Sequence, residues 1–142
     1  MTTAARVFGI LLVVAGLIYG AMATYTLFHV DVVATTLEMA NAPERKEFGF
    51  RSIQDWKVGM RFNAWLYLAV GLAATVCGIG IAALREWARL SWLSASALLV
   101  GFVLFVVIQH SEVWARYVEL LAFAIPSFIV LRGKWVKSEN AI

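Results

Sequence analysis

The sequence predicts an all-α integral membrane protein, a bundle of four transmembrane helices with an extramembrane helical hairpin between helices one and two. Three observations predict it. Hydrophobic residues make up 62% of the chain and charged residues only 15%, whereas soluble domains run at about 45–50% and about 25%. A chain of 142 residues cannot hide that excess in a core, so it reads as surface facing lipid. Second, Leu66–Leu84 and Leu90–Ile108 are two apolar runs, each close to the ~20 residues of a helical bilayer crossing. Third, they are joined by the charged turn Arg85-Glu86-Trp87-Ala88-Arg89, too short for anything but an antiparallel hairpin. One membrane domain follows, with spans at about 7–27, 65–84, 90–109 and 113–131 and a hairpin at about 29–63.

The first span, Val7–Leu27, follows Arg6 and passes Ala21-Met22-Ala23, which imitates a signal-peptide cleavage site. The apolar run continues through Tyr25 and Leu27, so a retained helix is expected. Gly16 and Gly20 on it form a flat strip suited to close helix approach.

In the long connection, Leu27, Val30, Val33, Leu37 and Ala40 recur at helical spacing, with Asp31, Thr35 and Glu38 off the stripe. Helix one is therefore expected to run past the bilayer and stop before Asn41-Ala42-Pro43. Ser52-Ile53-Gln54-Asp55 resembles a capping box with Asp in place of Glu, and Ile53, Trp56 and Met60 lead into span two. Two helices packing on each other outside the membrane are expected. The alternative is that Ile53–Phe62 lies flat among headgroups.

Span two carries Gly71, Ala74, Gly78 and Ala82, and span three carries Ser91, Ser94, Ala97 and Gly101. Small residues let helices approach closely in lipid, so these two faces are expected to meet. Span four is interrupted by Glu119 and by Pro126, which removes a backbone donor and tends to kink a helix. The tail Arg132-Gly133-Lys134-Trp135-Val136-Lys137 is a basic, aromatic interfacial anchor, and Trp65, Trp87, Trp92 and Trp114 also fall near span ends.

Four spans put both termini on one side. Each side then carries six cations: Arg6, Arg85, Arg89, Arg132, Lys134 and Lys137 face Arg45, Lys46, Arg51, Lys57, Arg61 and Arg116. The densest short clusters are the Arg85/Arg89 turn and the tail, which places the termini in the cytoplasm of a multi-pass plasma (bacterial inner) membrane protein.

Three constellations carry possible chemistry. Glu119 is an ionisable group inside a span, and Arg116 and Glu112 complete a ladder on its face, an ion pair or a relay. His29, Asp31, His110 and Glu112 lie just beyond span ends, and two imidazoles with two carboxylates suit zinc or copper. Glu44, Arg45, Phe48, Phe50 and Trp56 mix charge with aromatic surface and suit a protein contact. Lone Cys77 excludes an intrachain disulfide, and the sequence lacks the zinc-protease, Walker and nucleophile-elbow motifs. The net charge of +3 needs no nucleic acid to explain it.

These readings favour a non-catalytic accessory or structural subunit within a larger membrane protein complex, with structural lipids and no other cofactor. A homo-oligomeric small channel or transporter using Glu119 is the alternative, and a metal- or lipid-handling membrane protein is the third reading.

Overall fold

The structure is a computed structural model. It describes residues 2–40, 53–109 and 117–132, and side chains within 3–35, 57–109 and 117–132. Among the described residues there are four helices and no strand: α1 (Thr2–Ala40), α2 (Ile53–Ala82), α3 (Glu86–Gln109) and α4 (Val118–Val130). Three helices are long and apolar enough to cross a membrane, over Thr3–Thr35, Lys57–Ala82 and Glu86–Gln109. The described part of the fourth expected span is a helix of 13 residues, which at 1.5 Å per residue is about 20 Å long.

Exposure supports the membrane reading independently of hydropathy. On α3, Leu98 is 75% exposed and Ile108 78%, while the polar Ser96 is fully buried. Water would favour the reverse, whereas in lipid the apolar side chains face the solvent. Two threonines of α1 are satisfied within the helix. Thr24 donates to the Gly20 carbonyl at 2.8 Å and Thr26 to the Met22 carbonyl at 3.0 Å, so neither hydroxyl needs water.

α1 has 39 residues, about twice what a crossing requires. The one long connection therefore begins as a continuation of the first span, through Ala40. Ile53–Phe62 belongs to the same helix as the second apolar run, so the connection re-enters as a helix continuous with span two. The expected outer stripe is shifted by one position past Val30. Val30 and Ala34 are each 2% exposed, whereas Val33 is 44% exposed.

The contacts divide the chain into two compact units, Met1–Gly16 with Ala73–Ile142, and Leu17–Leu72. In the first unit all four helices contribute to one core. Ala5 and Leu12 from α1, Ala74, Cys77 and Ile81 from α2, Ala88 and Trp92 from α3, and Leu131 after α4 pack together. The start of α1, the α2–α3 turn and the end of α4 thus gather at one end of this unit. A close backbone-to-backbone contact joins α1 to α2. A Cβ placed on Gly9 would lie 2.6 Å from the Ala82 nitrogen and 2.7 Å from the Gly78 oxygen. One on Gly78 would lie 2.8 Å from the Gly9 oxygen.

That contact corrects one expectation. On the small-residue face of α2, Gly78 and Ala82 meet Gly9 of α1, and the close approach of α2 to α3 is made at Gly80, against Ala88. Ser91, Ser94, Ala97 and Gly101 are exposed, and a Cβ on Gly101 would meet nothing within 4 Å. α3 instead buries Ala88, Trp92, Ser96, Leu99, Val103 and Val106; α4 packs against it, with Trp92 bonded to Ser127, while Ala88 lies against Gly80 of α2.

The α2–α3 turn closes in the manner of a Schellman motif. Arg85 N–H donates to the Gly80 carbonyl at 2.8 Å and Leu84 N–H to the Ile81 carbonyl at 2.9 Å. Leu84 holds the left-handed position at φ 57°, where glycine is usual because a side chain costs about 1–2 kcal/mol. Packing of Leu84 on the core cluster offsets that cost.

In the second unit α1 and α2 again pair antiparallel. Tyr19 stacks on Tyr67 with ring centroids 5.6 Å apart, and further along Asp31 meets Lys57 and Arg61.

Candidate functional site

The most highly built polar arrangement in the second unit is the clasp at Asp31. Helical spacing puts Lys57 and Arg61 one turn apart on α2, so both reach across to α1. Asp31 Oδ1 accepts from Lys57 Nζ at 3.0 Å and from Arg61 Nη2 at 2.9 Å. The carboxylate remains well exposed. It lies on α1 just past the apolar run that ends at Leu27, and the two cations lie on α2 just before the run that begins at Trp65. From the sequence, Asp31 is a possible metal ligand, and Lys57 and Arg61 count only toward the charge of their side. The clasp was foreshadowed only by Asp31 lying off the apolar stripe.

His29 does not share the site. Two residues apart on a helix, His29 and Asp31 point in nearly opposite directions. The His29 ring stacks on Tyr25 at 4.0 Å, and Nδ1 lies 2.8 Å from the Tyr25 carbonyl. A carbonyl only accepts, so Nδ1 carries the proton in this contact. His110 and Glu112 lie outside the described residues, and among the described residues no group of three or more His, Cys, Asp or Glu could hold a metal.

The second arrangement lies in the first unit, where the end of α4 meets the start of α3. Arg89, 8% exposed, donates from Nε to both Glu86 oxygens at 3.0 Å and also pairs with Glu86 through Nη2. Its Nη1 donates to the Leu131 carbonyl at 3.1 Å. One guanidinium thereby neutralises a neighbouring carboxylate and caps a carbonyl at the end of α4, where the helix dipole favours a cation. One turn further into α3, Trp92 Nε1 donates to Ser127 Oγ at 2.7 Å, and Ser127 Oγ donates to the Phe123 carbonyl at 2.5 Å. Trp92 is therefore a core residue rather than an interfacial anchor, because its indole N–H finds an acceptor on α4. Ser96, one turn on, is buried with no partner for its hydroxyl among the described residues.

The remaining residues singled out from the sequence are dispersed. Glu119 lies exposed in the first turn of α4, where the helix N-terminus favours a carboxylate; Arg116, like Glu112, is outside the described residues. Glu44, Arg45, Phe48 and Phe50 also lie outside them, and Trp56 falls in the first turn of α2. Gly16, Gly71, Ala74 and Gly78 are buried, while a Cβ on Gly20 would meet nothing within 4 Å. Ala97 and Gly101 sit on the open face of α3. Gly9 is a close-packed glycine of α1 that the Gly16/Gly20 spacing did not indicate.

Chemically, the two arrangements hold helices in register. The Asp31 clasp ties α1 to α2 beyond their apolar runs, and the Arg89 lock ties α4 to the base of α3. Comparison with known proteins finds no matching family, no matching curated protein and no matching solved structure.

Proposed function

We propose that this chain is a non-catalytic accessory subunit of a larger membrane protein complex, presenting the α1–α2 hairpin to a partner outside the bilayer. The observation that carries this reading is the clasped continuation of α1 and α2 beyond their apolar runs. An exposed helical extension pinned by two ion pairs on one carboxylate is ordered in advance, which lowers the entropic cost of docking. The residues between the two helices include Glu44, Arg45, Phe48 and Phe50, whose mixed charge and aromatic surface suit a protein contact.

In this reading α4, with the residues preceding it, forms the fourth span, so that both termini lie on one side. Arg6, Arg85 and Arg132 then surround the end where the four helices gather. Their concentration beside short connections favours the cytoplasmic side of a plasma membrane, bacterial inner membrane included, by the positive-inside rule. The hairpin faces outward.

Site-specific photocrosslinking in the source membrane tests the proposal. A photoreactive residue replacing Phe48 is expected to capture a second protein, and one replacing Ala97 is expected to capture lipid. Lipid or water adducts alone from position 48 would overturn the docking role.

A further inference from the structure

We infer that the Asp31–Lys57–Arg61 clasp is also a binding site for the phosphate of a phospholipid headgroup. Two cations share one carboxylate there, so the cluster carries a net charge of +1. The bonds to Asp31 Oδ1 use one of the three donors of the Lys57 ammonium and one of the five of the Arg61 guanidinium. Asp31 therefore fixes two long side chains one turn apart while most of their donor capacity remains. Arg61 keeps 46% of its side chain exposed.

The surroundings identify the anion as a lipid's. Phe28, three residues before Asp31, is 79% exposed, and Phe62 and Trp65, on the membrane side of Arg61, are 54% and 61% exposed. Phe28 lies three residues from Asp31 and Trp65 four from Arg61, about 5–6 Å along the helix, and Phe62 is adjacent to Arg61. The clasp thus sits about one turn from an exposed aromatic ring on each helix of the pair, Phe28 and Trp65, with Phe62 beside Arg61. A free phosphate has no use for those apolar rings. A phospholipid places its phosphate at the cations and its glycerol and acyl chains against the rings, as interfacial aromatic and basic residues do. Phosphate accepts from both ammonium and guanidinium in charge-assisted bonds, which Asp31 leaves room for.

This inference rests on where α1 and α2 leave the bilayer and not on the partner protein, so it stands or falls separately from the subunit proposal. Native mass spectrometry of the purified full chain in detergent tests it, with three probes: phosphatidylglycerol, the diacylglycerol of the same chains without phosphate, and soluble glycerol phosphate. The chain is expected to retain phosphatidylglycerol, to release diacylglycerol, and to keep its lipid in glycerol phosphate. The double variant Lys57→Gln/Arg61→Gln should bind phosphatidylglycerol about tenfold more weakly, for two charge-assisted bonds removed. Asp31→Asn breaks the same ion pairs and loosens the hairpin equally, but leaves both cations, so it should retain the lipid. Retention by the double variant at the level of the original chain would overturn the inference. Equal loss in Asp31→Asn would reduce the effect to hairpin integrity and overturn it too. Displacement by glycerol phosphate at equal concentration would mark a site for soluble phosphate rather than lipid, and likewise overturn it.

Discussion

Replacing Arg89 by methionine is expected to free the end of α4 from α3. The substitution removes the partner of a carboxylate and the donor to the Leu131 carbonyl in one step. Breaking a buried pair from one side costs about 3–5 kcal/mol. Glu86 keeps 25% of its side chain exposed, which favours the lower end, about 3 kcal/mol. Adding Glu86→Gln should recover part of the loss, because no unpaired carboxylate is then left behind. Arg89→Lys should fall between, since an ammonium cannot hold both Glu86 oxygens and the carbonyl in a planar fork. Thermal unfolding in detergent, followed by the loss of helical circular dichroism, reads all three. Equal stability of Arg89→Met and the original chain would show that the lock contributes nothing.

The second large effect is expected at Gly9. The atoms that a new Cβ would strike, the Ala82 nitrogen at 2.6 Å and the Gly78 oxygen at 2.7 Å, are backbone. Backbone cannot rotate away, so α1 and α2 must separate. Gly9→Ala should cost about 2–3 kcal/mol, the upper part of the usual overpacking range. Gly78→Ala should act in the same way, because its Cβ would lie 2.8 Å from the Gly9 oxygen. Gly101→Ala is the control. With nothing within 4 Å of its Cβ position, it should change stability by no more than about 0.5 kcal/mol. A loss at Gly101 equal to that at Gly9 would contradict the assignment of the close contact to α1 and α2.

The helical class, the apolar runs and the prolongation of α1 into the connection were legible in the sequence, because each depends on properties of a single helix. The choice of packing partners was not. On α1 the buried positions Gly9, Gly16, Ala23 and Val30 fall seven residues apart, a repeat that a search for glycines four apart passes over. On α3 a rule equating small residues with packing chose Ser91, Ser94, Ala97 and Gly101. The helix turns the neighbouring face inward because Arg89 and Trp92 find partners on and after α4. Those partners, the Leu131 carbonyl and Ser127, are 42 and 35 residues away in sequence, and no local pattern announces them. The Asp31 clasp was hidden for the same reason. Its cations are 26 and 30 residues from the carboxylate, on the other arm of the hairpin.

Native mass spectrometry of the chain, extracted gently from its source membrane, tests the subunit proposal most directly. The account predicts a defined hetero-complex that dissociates when the Asp31 clasp is broken by Asp31→Lys, which places three cations together and should splay the hairpin. A bare monomer carrying only lipid, or a closed ring of identical chains unaffected by Asp31→Lys, would contradict it.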